Sequence, residues 1–154
     1  MIRMAVKTLT NEYTIEIANR LSELAHLTDR ITAIGEEQGI GARASFHLQL
    51  VCDELVTNTI SYGYDSDDER TIRISVTFTP DEVALAIKDD GRPFNPFQNR
   101  DSPDLTLGVE EREIGGLGIH FVKRVMERVA YERSGRYNVI SMTMKRNKSS
   151  EGTE

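Results

Sequence analysis

Three short stretches hold residues whose types and spacing could do chemistry. In DELVTNTISYGY, residues 53–64, Glu54 and Asn58 stand four apart, so a helix stacks them on one face. With Asn58 as origin and about 100° per residue, Val51, Leu55 and Leu48 fall within about 80° on one side, and Glu54 about 40° to the other. A carboxylate and an amide thus border an apolar stripe, where leaving either unpaired costs about 1–3 kcal/mol. The pair bonds to itself, caps a neighbouring loop, or serves a ligand. Taken alone, the first two readings are the simpler ones.

The second stretch is EVALAIKDDG, where Val83, Leu85 and Ile87 share one face of a strand and strict alternation puts Asp89 on that same face. A buried carboxylate has to be paired or hydrogen-bonded. It accepts hydrogen bonds only, so a planar base carrying an amino group suits it. A salt bridge to an arginine, or a turn begun by Asp89, Asp90 and Gly91, would satisfy it too. The third stretch, GGLGIHFVKRVMER, sets Gly115, Gly116 and Gly118 at the start of an amphipathic helix striped by Leu117, Phe121, Val122, Val125 and Met126. Glycine weakens a helix, so its presence needs a reason. One is the close approach of a phosphate chain to free backbone N–H groups at a helix start; another is a hinge for the preceding loop. Neither the Walker pattern nor the dinucleotide pattern is met.

The elements that must position these residues can be read from periodicity. RMAVKTL and YTIEIAN alternate as strands, and LSELAHLTDRITAIGEEQG carries Leu21, Leu24, Leu27, Ile31 and Ile34 on a helical stripe that ends near Gly35 and Gly39. A second helix is predicted from about Ala44 to Tyr62, ending at Gly63. TIRISVTFT and EVALAIKDDG form an antiparallel hairpin, and residues 91–114, with Pro93, Pro96 and Pro103, form a long irregular segment of the kind that serves as a lid. After the glycine-led helix, VAYERS and YNVISMTMKR are two strands joined at Gly135. Strands and helices do not alternate, so an α+β two-layer α/β sandwich is expected, about three helices covering one face of a mixed, mostly antiparallel sheet.

Composition limits the partners. With 38% hydrophobic and 29% charged residues the 154-residue chain is expected to be one globular domain, residues 1–146, followed by a flexible tail, 147–154. A net charge of −6 argues against direct nucleic-acid binding, but not against a phosphate-rich small molecule held by backbone amides or a metal ion. The lone cysteine, Cys52, excludes an internal disulfide and reads as a small buried hydrophobe. No run approaches the roughly 20 apolar residues of a membrane span, and MIRMAVKTLTNEY lacks a signal peptide's apolar segment, so a cytoplasmic protein without membrane contact is expected. His26, His47 and His120 are too scattered for a zinc site.

Taken together, an ExxxN helix, a DxG strand end, a lid and a GGLG helix start resemble the ATP-binding fold shared by gyrase, the Hsp90 chaperone, sensor histidine kinases and MutL. More closely, CDELVTNTISYGY, IKDDGRPFNPF and GGLGIHFVKRVME are similar to the single-domain branch, the bacterial anti-sigma-factor serine/threonine protein kinases, over roughly residues 13–145. The resemblance implies ATP and Mg²⁺ as ligands, with Glu54 as general base or as the group that orients the attacking hydroxyl. Asn58 would hold Mg²⁺, Asp89 would accept from the adenine amino group, and Gly91 would let the chain pass close to the base. Gly116 and Gly118 would offer amides to the phosphates, Gly115 would hinge the lid, and Arg112 would reach the terminal phosphate. Two departures stand out: Pro93 occupies the place of a second glycine, and three residues separate Arg112 from Gly116. The implied partner is a small anti-sigma-antagonist protein, with a sigma factor competing for the kinase, and a homodimer is common in the family. An ATP-bound switch without phosphotransfer is the alternative. A sensor histidine kinase fragment would need a phospho-accepting histidine, for which His26 is the candidate on the first helix.

Overall fold

The computed structural model describes residues 10–98 and 116–146. Nine elements follow in chain order: β1 (Asn11–Ala18), a single 3₁₀ turn (Leu21–Glu23), α1 (Leu24–Gln38), α2 (Ala42–Tyr62), β2 (Thr71–Phe78), β3 (Glu82–Asp89), α3 (Gly116–Val125), β4 (Arg128–Ser134) and β5 (Tyr137–Lys145). The strand candidate at residues 3–9 and most of the irregular segment lie outside the described residues.

Alternation of apolar and polar residues decides the sheet. In β2, Ile72, Ile74, Val76 and Phe78 are fully buried while Thr71 and Arg73 are exposed. β3 repeats the pattern with Val83, Leu85 and Ile87, and β5 with Ile140, Met142 and Met144. The strand order is β1-β2-β3-β5-β4. Each described pairing is antiparallel, so the expected mixed sheet resolves into an antiparallel one. β3 and β4 run in the same direction, joined through α3, but β5 lies between them and pairs antiparallel with both, so no two hydrogen-bonded neighbours among the described strands are parallel.

The helices cover the apolar face. Leu27, Ile31 and Ile34 of α1 and Leu48, Val51, Cys52, Leu55 and Val56 of α2 join the strand residues in one core. α1 ends in a Schellman motif: the Gly39 N–H reaches the Glu36 carbonyl, and the Ile40 N–H reaches that of Gly35 at 3.1 Å. Gly39 has φ of 71°, a left-handed conformation that only glycine adopts without penalty. Arg146 then ties this end to the β2–β3 turn, donating to the Gln38 carbonyl at 2.6 Å and the Thr79 carbonyl at 2.8 Å. α3 stops sooner than its apolar stripe predicts. Met126 still bonds to the Val122 carbonyl, but the Glu127 N–H turns to Thr143 at 2.8 Å, because β4 must pair with β5 from Arg128 onward.

Cys52 is buried, and burial pushes its thiol up to about 12, which suits packing and not nucleophilic work. Among the described residues no helix is long and apolar enough to cross a membrane.

Leu55, fully buried on α2 directly after the Glu54 position, tests how firmly this helix is held. Leu55→Ala is expected to lower unfolding free energy by about 2–5 kcal/mol, read as a lower urea midpoint with unchanged slope.

Candidate functional site

The C-terminal half of α2 is where the singled-out residues meet. Glu54 and Asn58 lie on one face, as their spacing requires, and the Asn58 amide Nδ2 donates to Glu54 Oε2 at 3.2 Å. Asn58 is buried and Glu54 half-buried. Burial pushes the Glu54 carboxyl above its ordinary value, the Asn58 hydrogen bond pulls it back, and the neighbouring Asp53 pushes it up again. The internal bond that was the simpler reading of the pair therefore exists. It uses only one end of each group, and the described residues give Asn58 Oδ1 no hydrogen bond.

Glu54 also has an unexpected neighbour. A Cβ built on Gly118 would overlap the Glu54 carboxylate. The first turn of α3 thus passes directly over this side chain, and a carboxylate is favoured beside the N-terminal end of a helix. The glycine run has a local reason, then: position 118 must lack a side chain for Glu54 to sit where it does. Gly116 opens α3, while Gly115 and Arg112 lie outside the described residues.

Asp89 is buried at the end of β3 on the helix-facing side, as alternation predicts. Its Oδ1 accepts from the Gly91 N–H at 2.8 Å and from Asn138 Nδ2 at 3.0 Å. Burial raises its carboxyl above the ordinary value, against the pull of these two bonds, with Asp90 adding to the rise and Arg133 opposing it. The described residues leave Oδ2 without a hydrogen bond. The turn reading and the buried-carboxylate reading of this stretch are therefore both realised, and on one oxygen.

Gly91 connects the two halves of the site. A Cβ there would overlap the carbonyl oxygen of Gly63, the residue that ends α2. The same carbonyl accepts from the Arg92 N–H at 2.8 Å, and Arg92 Nε donates to the Tyr62 carbonyl at 2.7 Å. These contacts cap α2 and fix the chain leaving Asp89 against it. Close approach of backbone to backbone is the reason for glycine here.

Sequence reasoning missed Asn138, Tyr131 and Arg133. Asn138 stands opposite Asp89 in the β3–β5 register and opposite Arg133 in the β4–β5 register. The signal was present: the alternation Asn138, Ile140, Met142, Met144 carries a polar residue inward, as Asp89 is carried on β3. Applied to both strands, the same rule finds both residues.

The two glycines separate geometric roles from stability. Gly91→Ala drives a Cβ into backbone, so it is expected to destabilise the fold by about 1–3 kcal/mol. Gly118→Ala meets only the flexible end of Glu54, and alanine is the better helix former. It is expected to leave the melting temperature within a few degrees while displacing the Glu54 carboxylate. Thermal melts of the two variants distinguish them; equal losses would contradict the close contacts described.

Comparison with known proteins agrees with this fold. A family model described as the histidine kinase-like ATPase domain matches residues 17–144. The serine/threonine-protein kinase BtrW of Bordetella bronchiseptica is 29% identical over 66% of this chain and 71% of its own length. The anti-sigma F factor of Bacillus subtilis is 30% identical over 56% of this chain and 59% of its own, and that of Clostridium perfringens 25% over 65% and 71%. Among solved structures, the histidine kinase AdeS of Acinetobacter baumannii shares the fold with a TM-score of 0.50 at 12% identity, covering 88% of this chain and 68% of that one. With an inward aspartate at the central strand end and a helix carboxylate under a glycine-led turn, this chain belongs to the histidine kinase-like ATPase domain family.

Proposed function

We propose that this chain is a protein serine/threonine kinase that acts as an anti-sigma factor, binding Mg-ATP and phosphorylating a small antagonist protein. The observation that carries the reading is the half-buried Glu54 carboxylate lying under the glycine turn of α3, in a chain whose relatives are named as kinase and anti-sigma factor. Asp89 takes the base, Gly91 brings the chain close to it, and Gly116 and Gly118 offer amides to the phosphates. Arg112 and Gly115 keep the roles implied by the resemblance, at the terminal phosphate and at the lid hinge.

The residues present fit a hard cation held by few protein groups. Among the described residues no three His, Cys, Asp or Glu side chains gather, and magnesium, which keeps waters and phosphate oxygens as ligands, needs none. The amide oxygen Oδ1 of Asn58, free of hydrogen bonds from described residues, would be its protein ligand. When bound, the ion neutralises charge on the phosphates.

Phosphoryl transfer asks the protein mainly for position and charge. Glu54 accepts the proton of a serine or threonine hydroxyl on the partner as that oxygen bonds to the γ-phosphorus; the bond to the β–γ bridging oxygen breaks, ADP leaves, and Glu54 returns the proton to water. Asn58 orients Glu54 through its Nδ2 bond and so couples the two jobs. The antagonist protein and a sigma factor are the proposed partners, possession of the same surface by either excluding the other; homodimer formation and a cytoplasmic setting belong to the same reading.

Glu54→Gln keeps shape and removes the base, so phosphorylation of the antagonist is expected to fall about 10²–10⁴-fold with ATP affinity nearly unchanged. A normal rate in this variant would remove Glu54 from the role. ATP binding with no transfer by the unaltered protein would instead support a nucleotide-dependent switch that sequesters its partner. The pH dependence has a definite sign. Because burial raises Glu54 above its ordinary value, the transfer rate falls with acid at a higher pH than an exposed glutamate would give, and this limb disappears in Glu54→Gln. Stability runs the other way. Folded-state values raised at Glu54 and Asp89 favour the folded state below the unfolded carboxylate values, and that contribution is lost as pH rises through the raised ones.

A further inference from the structure

Three neighbouring strands end in one polar row on the helix-facing side: Asp89 on β3, Asn138 on β5 and Arg133 on β4. Asn138 is its centre and is buried. Its Oδ1 accepts from the Phe94 N–H at 3.3 Å, from Arg133 Nη1 at 3.2 Å and from the Tyr131 hydroxyl. Its Nδ2 donates to Asp89 Oδ1 at 3.0 Å and to the Arg92 carbonyl at 2.9 Å. The polarity of these neighbours fixes the amide in one orientation. Aspartate would set an oxygen against the Asp89 carboxylate, and leucine would remove the bond to all five groups, leaving Asp89 only the Gly91 N–H and Arg133 Nη1 only the Gly91 carbonyl.

We propose that Asn138 is a positioning residue for base selection: it holds Asp89 so that Oδ2 alone meets the base and meets it as an acceptor. The inference rests on the assignment of Asp89 to the adenine amino group. Oδ1 already takes two donors, from Gly91 and Asn138, so rotation of the carboxylate would break both. An ionised Asp89 accepts from an amino group and repels an oxo group. A protonated Asp89 donates and tolerates the oxo group. Burial drives Asp89 toward the protonated form, and the Asn138 bond is the foremost contact opposing it, ahead of the Gly91 N–H. The charged and titratable groups facing Asp89 are Asp90, which adds to the rise, Arg133, which opposes it, and the buried Tyr64 hydroxyl, whose own value is raised by burial, Asp89 and Asp90. Loss of the amide therefore narrows discrimination between amino- and oxo-purines, and more so at lower pH.

The test uses the full chain. Affinities for Mg-ATP and Mg-GTP are measured from pH 5 to 8 in the unaltered protein and in Asn138→Ala. The Asp89 carboxyl is titrated by ¹³C NMR without nucleotide, with Asp89→Asn to assign the signal. The alanine variant is expected to lose about tenfold of its preference for ATP over GTP, the size of one hydrogen bond of this kind, and to raise the Asp89 midpoint. Asn138→Thr, which keeps a donor on a side chain suited to strands, falls between the two. A merely structural amide lowers the melting temperature and weakens both nucleotides alike, leaving the ratio and midpoint unchanged; that result overturns the proposal. An unaltered protein that binds neither nucleotide overturns the base assignment itself, whereas the nucleotide-free titration still reports whether Asn138 governs Asp89. Should Asn138→Ala fail to fold, Tyr131→Phe, which removes one donor holding the amide in register, is expected to shift ratio and midpoint in the same direction by less, and no shift counts against Asn138.

Discussion

A carboxylate carried into the core has to find donors, and much of this structure is arranged around that requirement at Asp89. Strand alternation leaves no choice about its direction, because the three apolar residues before it on the same face must be buried. One donor comes from the turn that Asp89 itself starts, through the Gly91 N–H. The other comes from Asn138, brought alongside by the β3–β5 pairing. Asn138 must then satisfy its own oxygen, which draws in Tyr131 and Arg133 of the edge strand and the Phe94 N–H of the departing chain. A single buried charge thus organises three strand ends and the segment that follows.

That segment links the strand end to the helix bearing Glu54 and Asn58. Gly91 lies against the Gly63 carbonyl, and Arg92 bonds to the Gly63 and Tyr62 carbonyls, so the C-terminus of α2 is capped by the chain that leaves Asp89. Arg133 reinforces the connection from the far side by donating to the Gly91 carbonyl at 2.8 Å. At the other end of the α2 face, Gly118 of α3 covers Glu54. One helix therefore holds the carboxylate and amide between two glycine contacts of different kinds: backbone against backbone at Gly91, backbone against side chain at Gly118. The first must be preserved for the fold; the second sets only where a carboxylate rests.

The electrostatics follow from the same placement. Glu54 and Asp89 are both pushed up first by burial and both pulled back by an asparagine amide, Asn58 for one and Asn138 for the other. An amide can steady an ionised carboxylate without adding a charge to the interior. It leaves the second carboxylate oxygen available in each case. Two acceptors with different duties, one toward a hydroxyl proton and one toward an amino group, are held by the same device.

The local elements and the inward direction of Asp89 were legible from the residues alone, since they depend on periods of 3.6 and 2 that any chain segment expresses by itself. So were the stacking of Glu54 with Asn58 and the end of α1 at Gly39. Asn138 obeys the same alternation as Asp89, yet only the register showed the two side by side, because residues 49 apart meet by a pairing no local pattern encodes. The end of α3 at Val125 was likewise decided from outside, by β5 claiming the Glu127 N–H. The contact of Gly118 with Glu54 depends on how two helices cross, which neither helix specifies alone. The sequence by itself determined which groups face the core and which backbone positions must be bare. The tertiary structure decided which of them touch, because pairing across the sheet and packing of helices are properties of segments taken together.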